Sequence, residues 1–119
     1  MSERNIQNRI LVRLSKDFAG RGIFWKNDTG VAKSMDGKRV VRFGCPGSPD
    51  IIGCVDGLFV GFEVKTRKGK QTDKQKKFQI VLERSGGLYC VPRSAEEAVG
   101  ALNDFLNAAN ASPKDAPDA

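Results

Sequence analysis

The sequence contains no histidine. That absence removes Ser-His-Asp and Cys-His catalysis, imidazole general bases and the commoner zinc sites together, so any chemistry must run on carboxylates, lysine, hydroxyls or thiols. Cysteine is scarce: Cys45, Cys54 and Cys90 form no C-x-x-C pair, and an odd number does not close a disulfide framework. They read as reduced thiols, which points to the cytoplasm. No apolar run approaches the roughly eighteen residues of a membrane span. The opening MSERNIQNRI carries charges and amides where a secretory signal needs an apolar core. The expectation is a soluble, cytoplasmic protein with no membrane association.

What is present is positive charge. Lys and Arg number 20 against 14 Asp and Glu, a formal net charge of +6 on 119 residues, which is the length of one ordinary domain. A polyanionic partner suits this balance, although an anionic membrane or plain solubility suits it too.

The chemistry-bearing stretch is Pro49-Asp50 with, thirteen residues later, Glu63-Val64-Lys65. Ile51–Val55 and Leu58–Lys65 read as strands joined by an Asp56-Gly57 turn, with the first strand buried on both faces. That hairpin sets Asp50 beside Glu63, within reach of one ion. Glu63 and Lys65 leave the same face roughly 7 Å apart, and Val64 points into the core with Val60 and Phe62. Gly61 precedes Glu63 on the site face and is expected to leave open space for substrate or water. Two carboxylates this close repel unless Lys65 and a divalent cation offset them. An ordinary Glu–Lys pair at a sheet edge, with Asp50 in a loop, explains the same residues without chemistry.

Around this stretch, Ile6, Ile10, Leu11, Leu14 and Phe18 predict an amphipathic helix over 3–19 behind Ser2. Glu3 in its first turn favours the helix dipole, a sufficient structural reason for an acid there. Ile23-Phe24-Trp25 predicts a short buried strand, with Trp25 in the core rather than stacking on a base. A hairpin pairs Val31–Ser34 with Arg39–Phe43 and carries Lys33, Lys38, Arg39 and Arg42, which either grip a phosphate backbone or simply face solvent. Gly44–Pro49, with two prolines and two glycines, is irregular. Seven Lys or Arg fall between Lys65 and Lys77 against one acid, Asp73, and Arg67, Lys68, Lys70, Lys74 and Lys77 are candidate DNA contacts. This density favours nucleic acid over membrane, since the helix there has no broad apolar face for insertion.

Thr72–Gln75 fits a capping box opening a helix to about Ser85, with Phe78, Val81 and Leu82 as its apolar stripe. Leu88–Val91 predicts a strand after a β-helix-β crossover. Ser94 caps a last helix with Ala98, Ala101, Leu102, Phe105 and Leu106 inward. The domain is expected over 1–107, and the Ala-, Asn-, Pro- and Asp-rich stretch 108–119 is expected to be a disordered tail.

Gly47-Ser48-Pro49-Asp50 followed by Glu63-Val64-Lys65 resembles the PD-(D/E)XK signature of metal-dependent nucleases. Glu3 and Gln7, Asn27 and Gly30, Arg42-Phe43-Gly44, and Gln75 followed by a Gly-Gly-strand make the chain similar, over about residues 2–106, to the VRR-NUC family of small phage, bacterial and repair-associated nucleases. The resemblance implies an α/β fold, a small mixed β-sheet flanked by helices in a restriction-endonuclease-like core. It implies that Asp50, Glu63 and the Val64 backbone carbonyl bind Mg²⁺ or Mn²⁺, joined by Glu3 directly or through water. Lys65 would position or activate the attacking water, and Gln75 matches a glutamine near the site. The implied activity is that of a DNA endonuclease cutting branched DNA, Holliday junctions among its substrates, as a homodimer. A nicking or restriction-type nuclease and a non-catalytic nucleic-acid-binding module of the same fold are the alternatives.

Overall fold

A computed structural model describes residues 1–66 and 69–115, with side chains through Asn110. Arg67 and Lys68, two of the expected DNA contacts, lie outside the described residues, as does 116–119. The chain is a small α/β fold: α1 (Glu3–Asp17), β1 (Gly22–Lys26), β2 (Gly30–Lys33), β3 (Val40–Phe43), β4 (Ile51–Val55), β5 (Leu58–Phe62), α2 (Asp73–Arg84), β6 (Leu88–Cys90) and α3 (Ala95–Asp115). A four-stranded mixed sheet has the order β1-β4-β5-β6, antiparallel except for the parallel pair β5-β6, and β2-β3 forms a separate two-stranded sheet. Among the described residues no helix is long and apolar enough to cross a membrane.

The register follows from the turn. Asp56 and Gly57 both take positive φ, 51° and 83°, as a two-residue hairpin turn requires. The Arg21 guanidinium donates to the Asp56 carboxylate at 2.6 Å and fastens that turn to the end of α1. Ile51 therefore faces Phe62, and one step beyond the ladder Asp50 comes opposite Glu63. Alternation then sorts the sheet into two faces. Phe24, Ile51, Val55, Val60, Phe62 and Val64 form the buried face, covered by Ile6, Ile10 and Leu14 of α1, by Phe18 just after it, and by Ala98, Leu102 and Leu106 of α3. Ile23, Trp25, Ile52, Phe59, Glu63 and Tyr89 share the other, and α2 covers it only near β6, where Phe78 lies 6.1 Å from Tyr89.

This one-sided burial corrects three expectations. β4 is not buried on both faces, since Cys54 is exposed and Ile52 half-buried. Trp25 is not in the core: Phe24 takes the buried face, and Trp25 stands 46% exposed on the open one. Val81 is exposed as well, so α2 packs through Phe78 and Leu82. The regular β5 ladder ends at Phe62, although the chain stays tied to the neighbouring segment by Glu63 N–H to Cys90 O and Lys65 N–H to Pro92 O. The last helix spans Ala95–Asp115.

Candidate functional site

The irregular segment before β4 is held from two sides. The Asn27 amide donates to Ser48 Oγ at 2.7 Å and to Pro49 O at 3.0 Å, and the Asn27 N–H donates to Asp50 O at 2.7 Å. On the opposite side Gly47, at φ 83°, presses on the first turn of α2, where a Cβ would collide with the Lys74 carbonyl. Asp50 thus leaves a fixed loop at the mouth of the hairpin. Its carboxylate Oδ2 accepts the Val64 N–H at 2.9 Å across the strands. An extended residue sends its N–H and C=O to the same edge, so the Val64 carbonyl also leaves toward the Asp50 side.

Glu63 is 3% exposed, a buried carboxylate on the helix-poor face of the sheet. Lys65 Nζ stands 3.6 Å from Glu63 Oε2, with both side chains largely buried. Burial first, and the neighbouring Asp50 charge next, push Glu63 up to about 8, while Lys65 pulls it down only in part. The pair is therefore short of positive charge by itself. An all-oxygen set of two adjacent carboxylates and a strand carbonyl suits a hard divalent cation, which would favour the ionised form that burial opposes.

Gly61 does not leave open space. A Cβ there would overlap the Pro49 ring, which fills the position beside Glu63. The glycine serves a close approach of the loop to the sheet, and the accessible side of the carboxylates lies away from it.

The structure joins Asp50, Glu63, Val64 and Lys65. Glu3 is exposed in the first turn of α1, behind the Ser2 cap that accepts the Asn5 N–H at 3.2 Å. Among the described residues no third Asp, Glu, Cys or His completes a ligating group with Asp50 and Glu63. Gln75 is engaged in the capping box: its side-chain oxygen accepts the Thr72 N–H at 2.9 Å and its N–H donates to Thr72 Oγ1 at 3.2 Å. Lys33, Lys38, Arg39 and Arg42 line the exposed hairpin, and Lys70, Lys74 and Lys77 are exposed around the start of α2. Arg42 and Lys74 meet at a groove of about 180 Å³ floored by Gly30, Gly44 and Pro46.

Three residues around the site were not read from the sequence as such. Asn27 fixes the loop carrying Asp50, whereas the sequence named it only through the family resemblance and with no role. Arg93 donates to the carbonyls of Thr66 and, at 3.0 Å, Gly69. Tyr89 presents its ring beside Gly61 through the parallel β5-β6 register, a pairing that no local signal specifies. No family model matches the chain, and no curated protein matches it.

Proposed function

We propose that this protein is a Mg²⁺- or Mn²⁺-dependent DNA endonuclease of the VRR-NUC type, built on a PD-(D/E)XK core, that hydrolyses phosphodiesters in branched DNA, four-way junctions included. The observation that carries the reading is the buried Glu63 carboxylate opposite Asp50, with the Lys65 ammonium 3.6 Å away, in a protein of net charge +6. When bound, the divalent cation supplies Lewis-acid polarisation of a phosphoryl oxygen and acidifies water.

The chain's own residues do the rest. Asp50 and Glu63 would hold the cation, together with the Val64 carbonyl. Asp50 is oriented for this by the Val64 N–H and by the loop that Asn27 fastens. Lys65, fixed by burial and by Glu63, directs its ammonium protons at the space over the carboxylates, where it orients water and stabilises charge developing on the phosphate. Glu3 acts through water, and Gln75 acts through the helix start it caps. The β2-β3 hairpin and the start of α2 offer Lys and Arg on both sides of the Arg42–Lys74 groove, a surface suited to phosphate backbone rather than to base edges. A homodimer would set two such sites on opposite strands of one substrate.

The test uses purified protein with Mg²⁺ or Mn²⁺ on labelled four-way junction, flap, linear duplex and single strand. Preferential incision of the junction is expected. Equal cutting of linear duplex identifies a nicking or restriction-type enzyme, and binding without cleavage under both metals identifies a non-catalytic nucleic-acid module.

A further inference from the structure

Tyr89 is 4% exposed, and its hydroxyl is buried without a hydrogen-bond partner among the described residues. Buried hydroxyls rarely stay unpaired, and phenylalanine would fill the same space without the penalty. Phe78 fixes the ring from one side at 6.1 Å, and the β5-β6 register sets it beside Gly61, two residues before Glu63 on the same face. Burial first, and the Glu63 charge next, raise the phenol pKa, so the hydroxyl senses the carboxylate pair and remains a donor at neutral pH. The Gln71 side chain lies close enough to lower the phenol pKa in part, but it donates from Nε2 to Gln79 Oε1 at 2.8 Å and its remaining amide groups stand outside hydrogen-bond geometry from the Tyr89 hydroxyl.

We propose that Tyr89 is a positioning residue of the carboxylate site: its hydroxyl donates a hydrogen bond to an oxygen held at the Asp50–Glu63 pair when that pair takes up a divalent cation. The inference rests on the cation-binding part of the function proposed above. It adds to Asp50, Glu63, the Val64 carbonyl and Lys65 a protein group that neither ligates the cation nor carries charge. An oxygen held there would give the buried hydroxyl the partner that it lacks among the described residues.

Two measurements on the full chain test it. Tyr89→Phe in chelator should melt at the wild-type temperature or above it, because no hydrogen bond to the described residues is lost. In calorimetric titration without DNA the same variant should bind Mg²⁺ or Mn²⁺ roughly threefold to tenfold more weakly, the worth of one ordinary hydrogen bond. Tyr89 is the sole tyrosine of the chain, so incorporated 3-fluorotyrosine gives one ¹⁹F resonance in the otherwise wild-type sequence. That resonance should shift saturably as Mg²⁺ is added, with the calorimetric midpoint. A Tyr89→Phe variant that is destabilised in chelator, or that binds the cation with wild-type affinity, overturns the proposal. So does a ¹⁹F resonance that ignores bound Mg²⁺. A wild-type protein that takes up neither cation overturns the metal-site reading itself and this inference with it.

Discussion

The ring of Pro49 occupies the space that a side chain at Gly61 would need. The contact ties the loop before β4 to the centre of β5 and sets the chain position of Asp50 relative to Glu63. Gly61→Ala must displace Pro49, and Asp50 with it. The expected cost is about 1–3 kcal/mol of stability, as for other overpacked sites, with weaker Mn²⁺ binding. Urea unfolding midpoints and calorimetric Mn²⁺ titration check this; full stability with full Mn²⁺ affinity would show that the loop gives way freely and that the contact does not position the site.

Removing the Lys65 ammonium should stop chemistry and spare binding. Lys65→Ala deletes the cation 3.6 Å from Glu63, whereas phosphate contacts are distributed over the hairpin and α2. Junction cleavage should fall below detection while junction affinity, by gel shift at fixed salt, stays within about threefold, the effect expected from one phosphate contact among many. Normal turnover in this variant would exclude Lys65 from the reaction.

The buried carboxylate also dictates a pH dependence. Glu63 is held up to about 8, first by burial and then by Asp50, so the folded chain keeps a proton that the unfolded chain releases above the ordinary glutamate range. Between those two values the native state binds more protons, and stability must fall as pH rises. The cation-free protein should therefore lose melting temperature through this window, and Glu63→Gln should flatten that loss. Mg²⁺ favours the ionised form, so the stabilisation it brings should grow with pH over the same window. Thermal melts with and without Mg²⁺, in both proteins, decide the point; parallel pH profiles would remove Glu63 as the source.

The pairing of Asp50 with Glu63 was legible because one local signal, Asp56-Gly57, fixes both the turn and the register on either side of it. The alternation of Val60, Phe62 and Val64 then identified the buried face. Trp25 was not legible, since a three-residue apolar run does not say which of its faces α1 and α3 will cover. Gly61 was misread because a glycine in a strand serves an open space and a close neighbour equally well, and the neighbour, Pro49, comes from outside the hairpin. Tyr89 and Arg93 depend on the parallel β5-β6 pairing and on the loop after Lys65, contacts between segments that no short-range pattern records.

Gln75 offers the cleanest separation of a structural from a chemical role. Its side-chain oxygen accepts the Thr72 N–H while Thr72 Oγ1 accepts the Gln75 N–H, so both orphan donors at the start of α2 are met within four residues. Glutamate at the same position completes the same box and adds a charge favoured by the helix dipole. Gln75→Glu should thus keep wild-type stability, while Gln75→Ala should lose about 0.5–2 kcal/mol, the usual cost of a lost cap. If Gln75 serves only as a cap, cleavage by Gln75→Ala below its melting transition equals that of the wild type. A variant that is fully folded at the assay temperature yet cuts junctions tenfold or more slowly would instead place the amide in the reaction, and the capping box would then be the means by which α2 presents it.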